Sequence, residues 1–113
     1  MIQTLYHVSE YKEELLYPAI CKAMDDLSIA EDLRPDLKVV IKPNLVMPKS
    51  PEFPVTTHPL VIKAVVRYLH DHGVTNITLA ESSTGLYNAE HMKTLYRVCE
   101  MNSLEPDLKL NME

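Results

Sequence analysis

The sequence predicts a three-layer α/β sandwich on a mostly parallel sheet, in the order βαβαβαβ, with residues 1–113 forming a single, incomplete α/β domain or a fragment of a longer one. Three observations carry this expectation. Two β-branched runs, at residues 37–41 and 74–80, are too short for helices. Amphipathic stretches alternate with them, as in crossover units of a parallel sheet. Pro59 and Gly73 bracket the clearest of those stretches as a helix start and stop. With 113 residues, of which 46% are hydrophobic and 24% charged, the chain has enough apolar material for a packed core.

Residues 2–8 alternate weakly and are read as a first strand. Ser9 then offers an N-cap ahead of Glu10, Glu13 and Glu14, acids suited to the positive end of a helix. The stripe of that helix is Leu16, Ile20, Ala23, Met24 and Leu27. Pro18 interrupts it, so a kink or a start near Tyr17 is expected. Residues 28–35 read as a connector with a short helical turn, and residues 37–41 as a buried strand. Five of the eight prolines follow between Pro43 and Pro59, a density that excludes both ladder and helix and leaves a long stiffened loop.

From Pro59 a helix is expected, capped by Thr57 or His58, with an apolar face of Leu60, Val61, Ala64, Val65, Tyr68 and Leu69. Residues 74–80 form the next strand and feed the polar turn Glu81-Ser82-Ser83-Thr84-Gly85. A third helix spans residues 88–101, and residues 108–112 read as a last strand. Nothing after that strand covers its far face, which motivates the expectation of an incomplete domain.

Composition removes several functions. The two glycines, Gly73 and Gly85, cannot write G-x-G-x-x-G or a P-loop, which excludes ordinary Rossmann dinucleotide binding and P-loop chemistry. A formal charge of −5 disfavours a nucleic-acid partner. The N-terminal residues lack the pattern of a secretory leader and no run approaches a membrane span, so a cytoplasmic protein without a membrane partner is expected. Cys21 and Cys99 form no C-x-x-C, so local zinc ligation is not expected and both thiols read as reduced core residues. Ser82 and Ser83 lack a G-x-S-x-G elbow.

What remains is a candidate binding site. Strands of a parallel sheet deliver the loops that follow them to one edge, where ligands of open α/β sheets sit. Between residues 38 and 69, five cations face Glu52 alone, a local balance of +4. Lys42 supplies a point charge there, Asn44 a loop organiser or ligand contact, and Thr56, Thr57 and His58 donors at a helix start that favours anions. Glu81, Ser82 and Ser83 add a carboxylate and hydroxyls suited to a polar ligand. The expectation is a small anionic ligand. In the competing structural reading, Thr57 only caps the helix, Lys42 is a solvated lysine and the Ser/Thr turn bonds its own backbone. His70 and His72 close a helix and read as surface residues.

The strings Lys42-Pro43-Asn44-Leu45-Val46, Thr56-Thr57-His58-Pro59 and Glu81-Ser82-Ser83-Thr84-Gly85, in this order, resemble the N-terminal part of the domain of unknown function 362 family. The resemblance runs from about Leu37 to Tyr87. It implies an uncharacterised family, many of whose longer members carry ferredoxin-like cysteine runs and are called iron-sulfur proteins. The run C-x-x-C-x-x-C-x-x-x-C is absent here, so no cofactor is expected in this chain and an iron-sulfur cluster is expected only in a longer family member. Two competing expectations stand beside the ligand site. One is a redox role in a longer polypeptide. The other is a noncatalytic protein-interaction module, its Pro-rich loop and sheet edge binding the remainder of the same polypeptide, a second copy or a partner chain.

Overall fold

A computed structural model describes residues 3–45, 47–53, 56–81 and 89–112. It has mixed α/β content with a three-stranded parallel sheet. Helix α1 (Glu13–Asp26) leads through a 3-10 turn (Ile29–Asp32) to strand β1 (Lys38–Ile41). Helix α2 (Pro59–Asp71), strand β2 (Asn76–Leu79) and helix α3 (Ala89–Val98) follow, then a second 3-10 turn (Met101–Leu104) and strand β3 (Lys109–Leu110). The strand order is β1-β2-β3, with Lys38 opposite Asn76, Ile41 opposite Leu79, and Leu79 opposite Leu110.

One part of the expected architecture is corrected. Residues 3–8 form no strand, so the described elements run αβαβαβ. Their side chains instead seek polar partners on α1: Thr4 and Tyr6 both donate to the Asp26 carboxylate. Among the described residues the apolar core lies on one face of the sheet. Successive right-handed crossovers in the order β1-β2-β3 place α2 and α3 on the same face. Ile77 and Leu79 of β2 accordingly pack in one cluster with Ile62, Val66 and Leu69 of α2 and Met92, Leu95 and Tyr96 of α3. The opposite face carries Lys38, Val40, Asn76 and Lys109, all exposed.

α2 starts as its sequence dictates, with Pro59 in the first turn and the His58 side chain accepting from the Leu60 amide. It ends at Gly73, whose φ of +85° only glycine adopts without strain. Its buried residues are Pro59, Ile62, Ala64, Val66, Tyr68 and Leu69. Ala64, Tyr68 and Leu69 of the expected face are buried and Val65 packs against the core half-buried, while Ile62 and Val66 join the core and Leu60 and Val61 stay half-exposed.

α1 begins at Glu13, with Lys12 rather than Ser9 in the cap position and no side-chain cap. Pro18 lies inside it and does not end it. Only Leu16 of α1 is buried. Ile20, Ala23 and Met24 are half-buried, and polar contacts add to the seam with α2: Glu13 pairs with Lys63 at 2.8 Å, and Tyr17 donates to Asp71 while the Arg67 guanidinium lies over its ring. Tyr68 donates to Asp25 at 2.8 Å. Burial and that bond push the Tyr68 phenol up to about 12. No helix among the described residues is long and apolar enough to cross a membrane.

Candidate functional site

β1 and β2 end level with one another, Ile41 opposite Leu79, and the Ala80 amide continues the ladder by donating to the Ile41 carbonyl at 2.9 Å. Lys42 and Glu81 therefore leave the sheet side by side at its C-terminal edge. Glu81 is 7% exposed. A carboxylate buried this far needs charged or hydrogen-bonding partners to offset lost hydration. It has both: Oε1 lies 3.1 Å from Lys42 Nζ, and Oε2 accepts from the Leu45 amide at 3.1 Å. The Lys42 side chain is 72% exposed, so its ammonium keeps donors toward solvent.

The Pro-rich loop is cinched at its base. Leu45 and Thr56 form an antiparallel bridge. The Asn44 amide donates to Thr57 Oγ1 and the Thr57 amide to the Asn44 carbonyl, each at 2.9 Å. Leu45, 1% exposed, plugs the loop into the core. Thr56 carries a buried hydroxyl with no hydrogen-bond partner among the described residues, beside the Cys99 thiol. Cys99 donates to the Met47 carbonyl at 3.7 Å, and burial pushes its thiol up, against the opposing influence of the Lys49 backbone and the Thr56 hydroxyl.

Of the residues expected in the site, Lys42, Asn44, Thr57 and Glu81 come together at this edge through these bonds, and Thr56 pairs with Leu45 at the base of the loop. His58 has different neighbours. Its ring accepts from Leu60, stacks on Tyr11 at 4.1 Å and makes no hydrogen bond to Glu81. The Leu60 amide is thereby occupied, and Val61 donates to the His58 carbonyl, so the first amides of α2 are not free for an anion. Ser82 and Ser83 lie outside the described residues.

Two participants were not legible from sequence. The main-chain amide of Leu45 carries no side-chain signature. Tyr11 is separated from His58 by a helix and a strand, and no spacing rule links them.

The strand-edge arrangement lies within the span of a known family. A family model described as a domain of unknown function (DUF362) matches residues 39–112. The chain belongs to this family. No curated protein and no solved structure matches it. The DUF362 match opens inside β1 and runs past β3, so it holds the whole candidate site and leaves α1 outside. The iron-sulfur cluster implied for longer DUF362 members does not fit the residues present. The two thiols are Cys21, half-buried on α1, and Cys99, in the core beyond α3. No group of three or more metal-ligating side chains exists among the described residues.

Proposed function

We propose that the C-terminal edge of the sheet binds a small anionic ligand, with Lys42 as its charged contact, Asn44 and Thr57 as polar contacts and Glu81 as the group that positions both loop and lysine. The observation that carries this reading is the buried Glu81 carboxylate. It ties an otherwise mobile ammonium and the Leu45 amide to one rim, the place where open α/β sheets take ligands. Lys42 can serve Glu81 and an anion together because an ammonium has three donors. The occupied amides of α2 move the anion away from the helix start and toward Lys42 and Asn44.

Titration of the full chain with inorganic phosphate, citrate and AMP, followed by amide NMR, tests the proposal. At least one probe should move Asn44, Leu45 and Thr57 together. Lys42→Ala should weaken that response at least about tenfold, in line with the ~1.5 kcal/mol of a charged hydrogen bond. Three probes that leave these amides still, or shifts that survive in Lys42→Ala, overturn it.

A second reading, a noncatalytic interaction module, is favoured by the sheet face that no described residue covers, where Val40 is 59% exposed. Parallel sheets are ordinarily covered on both faces. Light scattering separates the two readings: concentration-dependent association without any response to the small anions supports the module.

A further inference from the structure

The start of α2 joins three separate parts of the chain through one imidazole. His58 Nδ1 accepts the Leu60 amide at 3.1 Å, which requires a ring neutral at that nitrogen, with its proton on Nε2. The same ring lies on Tyr11 of the N-terminal segment, centroids 4.1 Å apart and planes 10° from parallel. His58 also lines a cavity of about 370 Å³ together with Pro51, Lys63, Glu100 and Ser103.

The charged groups around the ring are unequal. Lys63 of α2 is committed to Glu13 of α1 at 2.8 Å. Lys12, next to Tyr11, is paired with Glu10 at 3.2 Å. Glu52, beside Pro51, accepts from Ser50. Glu100, which precedes the second 3-10 turn, makes no ion pair among the described residues and is the carboxylate left to receive a cation.

We infer that His58 is a pH-operated catch for the N-terminal segment: neutral, it caps α2 and holds Tyr11; protonated, it gives up the cap, turns toward Glu100 across the cavity and releases Tyr11. Protonation puts a hydrogen on Nδ1, where it opposes the Leu60 N–H. It also places a cation at the positive end of the α2 dipole. Both effects push the ring out of the cap, and Glu100 supplies the differential attraction that a two-state change needs. Release has a structural consequence, because Tyr11, with Tyr6, Leu16 and Val61, walls a groove of about 570 Å³ between residues 4–11 and α1.

Burial lowers the His58 pKa from 6.5, and Glu100 works in the opposite direction. The caught state is therefore fully favoured above about 6.5. It weakens as the pH falls from there toward the lowered value, since protonation favours the state in which the ring is free.

An NMR titration of the full chain from about pH 8 to pH 5, within the range where imidazole charge changes, reads the His58 ring, the Leu60 amide and the Tyr11 ring protons. All three should follow one midpoint. Glu100→Gln should move that midpoint downward by removing the carboxylate that favours the cation. His58→Asn keeps a side-chain oxygen for the cap, and in it Leu60 and Tyr11 should lose their shared transition. A Tyr11 signal that ignores the His58 midpoint, a Leu60 transition that persists in His58→Asn, or a midpoint unmoved in Glu100→Gln overturns the inference.

Discussion

α1 and β2 are attached to the molecule by different physics. β2 contributes Ile77 and Leu79, 1% and 0% exposed, to a core shared with two helices. α1 fully buries only Leu16, leaves Tyr17, Ile20, Ala23 and Met24 half-buried, and adds an ion pair, two tyrosine–carboxylate hydrogen bonds and a guanidinium over a ring to its contact with α2. Apolar burial is worth about 25 cal/mol per Å² wherever it occurs, whereas exposed ion pairs contribute roughly 0–1 kcal/mol and are screened by salt. The contrast sets the described residues between 33 and 112, the body of the domain, which share one apolar core and should unfold together, against α1 and the segment before it, a strapped-on layer expected to open at lower local cost. The family match follows the same division, covering the body and leaving α1 out.

The largest test of that division is a pair of truncations. Leu79→Ala removes a side chain with no exposed surface from the middle of the sheet, and should cost about 3–5 kcal/mol, with every amide losing exchange protection together. Leu16→Ala, at the α1 contact, should cost about 2 kcal/mol or less and raise hydrogen exchange in residues 13–26 while β2 stays protected. If Leu16→Ala deprotects β2 as strongly as α1, the two layers unfold as one unit and the comparison fails.

A smaller effect is expected at Gly73, which belongs to the body although it is exposed. A Cβ there would meet only Pro35 Cγ at 3.8 Å, so space is not the constraint. The constraint is φ at +85°, and Gly73→Ala should destabilise by about 1–2 kcal/mol through backbone strain alone. Equilibrium urea unfolding should show a lower midpoint with an unchanged slope. A neutral result would mean that the α2–β2 connection relaxes without the sheet.

The same division explains what could be read in advance. Pro59, His58 and Gly73 act within a few residues of themselves, so the limits of α2 were legible, as were the strands at β1 and β2 and the short turn before β1. The meeting of Lys42 with Glu81 was legible only through topology: 39 positions separate them, and the rule that parallel strands end on one edge brings them together. The first strand failed because alternation in residues 3–8 is weak and sheet membership needs a neighbour. Those side chains found Asp26 instead, and Leu5 is left 95% exposed. The face of the sheet on which α2 and α3 pack was not legible, for a geometric reason. Alternating elements specify a parallel sheet, but the order of its strands decides how many faces are covered. That order is set by long-range packing that local pattern does not encode.

The finest probe is one hydroxyl at the seam. Tyr68 is 1% exposed, and its ring belongs to α2, yet its oxygen reaches Asp25 on α1. Tyr68→Phe keeps the ring and its packing and deletes only this bond. Asp25 is exposed and regains water, so no unsatisfied buried charge is left behind, and the cost should be about 1 kcal/mol. The loss should fall mainly on one side of the seam: a larger rise in amide exchange in α1 than in β2, with the global unfolding midpoint lowered by no more than a loss of about 1 kcal/mol accounts for. Loss of protection in β2 equal to that in α1 would show that the hydroxyl anchors the core itself. α1 would then have to be counted as part of the body, despite the single buried side chain it contributes.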